Sequence, residues 1–140
     1  MKALPCLLLL LLAACPGPWP GRPPRYPAPI DQPMAAPSAE AQRILAAFKS
    51  GPDHKFFLIG EPDWKLVRSE LGVVTGRRST NAVIGEIARS ENKAQGWPDL
   101  CVYRQVVVQE DAGAAGGFER TRSWGEQGKG EVDCAEFDAR

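Results

Sequence analysis

The chain carries a single histidine, His54, and its four cysteines include no Cys-x-x-Cys pair. Zinc sites draw on clusters of those two residue types, so the sequence implies no metal, and no cofactor motif stands in for one. A Ser-His-Asp relay would have to use His54, which sits between Asp53 and Lys55 in a proline-containing turn, and no G-x-S-x-G elbow occurs. An excess of one charge is missing as well: 17 basic residues face 17 acidic ones, so there is no basic field for nucleic acid. Nor is there an apolar run long enough to cross a bilayer. The stretch from Ala3 to Ala14 is about a dozen residues, whereas ~30 Å of hydrocarbon at ~1.5 Å per residue takes about 20.

What that short run does have is order. Lys2 stands in front, a leucine block fills Leu7 to Leu12, and small residues follow, the layout of a secretory signal. Leu12-Ala13-Ala14-Cys15 resembles the lipobox of bacterial lipoproteins, in which a branched apolar residue and two small ones precede a cysteine. The resemblance implies a diacylglycerol on the Cys15 thiol, cleavage after Ala14 and acylation of the new amino group. It covers only the first fifteen residues. A cut after Cys15 would place Pro16 directly beyond the scissile bond, a poor position for a residue with fixed φ and no N–H. Among Gram-negative lipoproteins an Asp after the cysteine marks inner-membrane retention; here the position is Pro16, so the resemblance implies the outer membrane, facing the periplasm. Two or three acyl chains give durable attachment where one does not.

From Pro16 to Pro37 proline recurs at nearly every second or third position. Pro interrupts helices and sheet ladders and pushes its predecessor toward extended geometry, so a polyproline-II tether is expected. The chain thus divides into 1–14, a lipoprotein signal; 15–37, the lipidated cysteine and its tether; and 38–140, one domain of ordinary size. Without Lys2 the balance becomes 16 basic to 17 acidic residues, a net charge of −1.

For the domain the expected class is α+β: an N-terminal amphipathic helix packed on an antiparallel β-meander and closed by one disulfide. The helix starts at Ser38 as N-cap, carries Ala41, Ile44, Leu45 and Phe48 on one face, and stops at Gly51. Lys55 to Gly60 and Trp64 to Arg78 read as strand; Ala82 to Arg89 fits a strand or a short helix. Cys101 to Asp111 is dense in β-branched residues and runs into the glycines of Ala112 to Gly117, a hairpin end. Phe118 to Trp124 alternates as a return strand, Gly125 to Gly130 reads as a turn, and Glu131 to Phe137 as a last strand. Cys101 and Cys134 are the two cysteines left after Cys6 and Cys15 are accounted for, and in an exported protein such a pair is expected to be a disulfide.

Chemistry is thinner. Arg77 and Arg78 follow Gly76 and offer a small anion contact, for a lipid headgroup or a cell-wall acid, against the plainer reading of a solvated turn. Glu61, Asp63, Glu86, Asp99 and Asp111 read as surface carboxylates. The glycines before Phe118 lack the Lys-Ser/Thr of a P-loop. Trp64, Trp97 and Trp124 read as core or rim aromatics, and two exposed together would mark a binding surface. The expected function is therefore non-enzymatic: a lipid-anchored envelope protein whose domain binds a protein partner in the periplasm, in assembly or scaffolding, by strand addition to an open sheet edge. The alternative from another class is an inhibitor or immunity-type protein that blocks an envelope-acting enzyme with the loop Gly113 to Arg120.

Overall fold

The computed structural model describes Arg25, residues 30–91 and residues 99–140. The elements in chain order are α1 (Ala39–Leu45), β1 (His54–Leu58), β2 (Trp64–Arg68), β3 (Val74–Ser79), β4 (Ile84–Ser90), β5 (Leu100–Ala112), β6 (Phe118–Val132) and α2 (Cys134–Asp138). Half of this is strand and 11% is helix. The expected α+β class is therefore wrong: the molecule is an antiparallel sheet with two short helical plugs.

The long strand β5 organises the sheet. On one side it pairs with β6 over its whole length; on the other it pairs with β4 through Leu100–Val106 and with β3 through Gln109–Asp111. Outside these lie β1 against β4 and β2 against β3, giving the order β1-β4-β5-β3-β2. Successive strands are thus not simply side by side, as the expected meander required. Residues 82–89, open between strand and helix in the sequence, belong to β4 and the turn before it.

Three other expectations change for local reasons. The helix expected from Ser38 to Gly51 is only seven residues, capped as foreseen by Ser38 Oγ accepting from Ala41 N. After Leu45 its carbonyls tighten into i+3 bonds, Ala47 to Ile44 and Phe48 to Leu45, and Phe48 leaves the helical face to pack on Phe56 at 5.5 Å. The expected turn at Gly125–Gly130 is the middle of β6. That strand takes fourteen steps from Phe118 to Val132 while β5 takes eleven from Cys101 to Ala112. Three extra residues are absorbed as bulges, which bend and twist an edge strand. Arg120, at φ 54°, sits in the first of them. The expected last strand is α2, because Asp133 caps it by accepting from Ala135 N.

Strand alternation sorts the core into two clusters, one on each face. Phe57, Ile87, Cys101, Tyr103 and Val132 meet Ile30 and Phe137 on one side. Leu58, Ile84, Val106 and Val108 meet Ala41 and Ile44 of α1 on the other. Gly85 lies opposite Phe57, and a Cβ there would fall 2.5 Å from the Phe57 ring, so only glycine lets that ring lie across β4. The packed body begins before the expected boundary at Ser38. Ile30 is buried, the Tyr103 hydroxyl donates to Asp31 Oδ2 at 2.6 Å, and Met34 N donates to Leu58 O at 3.0 Å. The end of the proline-rich stretch is a strap across the sheet.

Candidate binding surfaces

Cys15 and Trp97 lie outside the described residues. Cys101 and Cys134 are bonded to each other; because Cys134 opens α2, the bridge ties the start of β5 to that helix and not to a closing strand. Arg77 and Arg78, neighbours on β3, point to opposite faces and so do not form one patch.

Arg77 is occupied from within. Its Nε donates to Glu110 Oε2 at 2.7 Å, and one terminal nitrogen reaches Glu40 Oε1 at 2.6 Å. Its guanidinium lies over Trp64 at 4.2 Å and near Phe118 at 4.8 Å. Glu110, fully buried, also accepts from Arg43 at 2.6 Å and from Thr121 Oγ1 at 2.9 Å. Burial pushes the Glu110 carboxyl up, but the hydrogen bonds from Arg43, Arg77 and Thr121 outweigh it and hold the group below its usual value. This network staples α1 to β3, β5 and β6.

Arg78 faces the other way. The register places Lys65 of β2, Arg78 of β3, Gln109 of β5 and Arg122 of β6 directly opposite one another in a single row. Arg78 donates through Nε and a terminal nitrogen to Gln109 Oε1 at 3.3 and 3.2 Å, and its guanidinium lies 3.5 Å from the Trp124 ring. Trp124 is itself 51% exposed. Arg122 pairs with Asp111 at 2.7 Å, and that hydrogen bond lowers the Asp111 carboxyl.

The sheet has three free edges among the described residues, and two are guarded. Along β1 the outward groups are taken: Gly51 N donates to His54 O, Phe56 N to Ser50 Oγ, and Met34 N to Leu58 O. Beside it a shallow groove of about 480 Å³ is lined by Ser50, Lys55, Phe56, Phe57 and Arg140. On β6 the three bulges and alternating charges blunt the edge. The outer edge of β2 is open. Thr80 N donates to Asp63 O, so in this register the pairs 65/78 and 67/76 bond to β3 while Trp64 and Leu66 turn N–H and C=O outward. Leu66 is 53% exposed. At the hairpin tip that follows, Leu71 is 91% and Val73 61% exposed.

No convergent catalytic group emerges among the described residues. His54 is exposed on β1, its Nδ1 3.9 Å from Glu86 Oε1. Glu86, buried, is bonded instead by the facing Arg104, which also reaches Glu126 at 2.7 Å. Each of the carboxylates singled out in the sequence has its own partner: Glu61 with Ser38, Asp63 with Thr80, Glu86 with Arg104, Asp99 with Arg89 and Asp111 with Arg122. The Gly113–Arg120 segment is a tight turn, closed by Gly113 N to Gly117 O at 3.1 Å, whose last three residues already belong to β6. What sequence reading missed is the Lys65–Arg78–Arg122 row; an alternating pattern on β2 and β3 hints at its members, but only the register aligns them. Comparison with family models, with curated proteins and with solved structures finds no match to this chain.

Proposed function

We propose that this chain is a lipid-anchored protein of the bacterial envelope, held through Cys15, whose sheet is a non-enzymatic binding module that takes a strand from a periplasmic protein partner. The observation that carries the reading is the open outer edge of β2. Two residues there, one of them the exposed Leu66, turn main-chain groups outward with no bonding partner among the described residues, while the other edges are occupied or bulged. An added strand would satisfy those groups, and Leu66 and Trp64 would supply side-chain contacts on one face.

Two substitutions in the full chain test the reading. Leu66→Pro removes an N–H that points away from β3, so it leaves the internal ladder intact while blocking strand addition. A photo-crosslinker at Lys65 is expected to join a discrete partner in intact envelopes and to lose it in the Leu66→Pro background. Cys15→Ser is expected to move the protein from the membrane to the soluble fraction. A crosslink that survives Leu66→Pro refutes the edge, and fractionation indifferent to Cys15→Ser refutes the anchor.

A further inference from the structure

We infer that the β2–β3 hairpin tip and the cationic row behind it dock on an anionic phospholipid surface, a second and weaker membrane contact than the acyl chains. The inference rests on the anchor reading, since a bilayer must lie within reach. Ile30 stands fifteen positions after Cys15, a span of at most about 50 Å at ~3.3 Å per residue, so the domain stays near the surface and even a weak contact is populated by tethering.

The tip is built to hold apolar groups outward. Ser69 N donates to Val73 O at 2.8 Å, Gly72 N to Ser69 O at 2.9 Å, and Arg68 braces the turn by donating to Gly72 O at 2.9 Å. Gly72 takes φ 78° and has nothing near its missing Cβ. Leu71 and Val73 are thereby fixed in solvent, the two most exposed large hydrophobic residues of those described. A convex apolar tip fits a surface that yields to it, which the boundary between headgroups and acyl chains does.

The charges sit where headgroups would meet them. Lys65 lies three residues behind Arg68 on β2, about 10 Å from the base of the tip at ~3.3 Å per residue. Lys65 and Arg78 are directly opposed like charges, an unfavourable pairing in a sheet that an anion between them would relieve. From this row to the tip the cations are Lys65, Arg68, Arg78, Arg120 and Arg122, against Glu70, Asp111 and Glu119. The excess is positive, and the half-exposed Trp124 beneath Arg78 has the amphipathic ring favoured at such interfaces. An anionic bilayer satisfies both the apolar tip and the charges; an acidic protein segment would satisfy only the second.

Hydrogen exchange on the full chain, mixed with vesicles of phosphatidylethanolamine and phosphatidylglycerol or of phosphatidylcholine alone, tests this. Amides of the Ser69–Val74 peptide should exchange at least about fivefold more slowly on the anionic vesicles only. Leu71→Ser with Val73→Ser should abolish that protection, and Lys65→Gln with Arg78→Gln should weaken it, with the melting temperature of each variant measured as a control on folding. Unchanged exchange at the tip overturns the inference; if the chain still sediments with vesicles, the anchor stands without it. Equal protection by soluble polyglutamate also overturns it, in favour of an acidic protein partner.

Discussion

Glu110 is a carboxylate taken out of water at the crossing of three strands and a helix, and its acceptor capacity is filled by Arg43, Arg77 and Thr121. A buried ion group contributes little compared with a well-packed apolar one, but removing one side of it leaves the other uncompensated. Glu110→Gln is therefore expected to destabilise the fold by about 3 kcal/mol, somewhat less if the half-exposed Arg43 swings to solvent. The pH dependence has a definite sign. Because the folded carboxyl is held below its unfolded value of about 4.3, its stabilisation is complete above that pH and is lost as pH falls through the folded value. Melting curves between about pH 6 and pH 3 should show a steep loss in the parent chain and a shallower one in Glu110→Gln. Parallel profiles would mean that Glu110 is not the charged hub assigned to it.

At the scale of elements, α2 is five residues, far too short to persist without tertiary support. Phe137 in the core and the Cys101–Cys134 bridge hold it. By the chain-entropy estimate a closure of 33 positions contributes about 3 to 4 kcal/mol. Replacing both cysteines by alanine should lower the melting temperature by about 15 °C for a body of this size and release the amides of α2 to exchange; a shift of only a degree or two would show that Phe137 alone suffices. The bridge itself was legible from the cysteine count, read with an expected export. So were the Ser38 cap, the β-branched run of β5 and the hairpin end at Gly116 and Gly117, where φ is positive. The glycines of β6 misled because their use is in pairing: Gly125, Gly128 and Gly130 face Val107, Gln105 and Tyr103. Asp133 with Glu136 three positions on was a readable helix start, masked by the valine and phenylalanine around it. The cationic row could not be read as a row, although Arg78 was singled out in the sequence, because its alignment exists only once β2, β3, β5 and β6 are in register.

At the scale of the whole molecule, one curved sheet must cover two apolar faces with very little helix. On one face α1 does this, joined by Met34; on the other the work is divided between α2 and Ile30, and the strap from Ile30 to Met34 links the two. The strap's anchoring is specific: Ile30 is 4% exposed, Asp31 accepts from the Tyr103 hydroxyl and from Gln105, and Arg140 donates to Asp31 O at 3.1 Å. Removing it would open the core cluster and take away the carboxylate that accepts from the Tyr103 hydroxyl. Burial of an isoleucine side chain contributes about 2 kcal/mol, and a hydrogen bond to a charged acceptor about 1.5 to 3 more. A chain beginning at Ser38 should therefore be about 3.5 to 5 kcal/mol less stable than one beginning at Arg25, which keeps the strap. Guanidinium denaturation of the two truncated forms decides the matter: equal midpoints would return the domain boundary to Ser38, and a lower midpoint for the shorter form makes the strap a structural element of the domain.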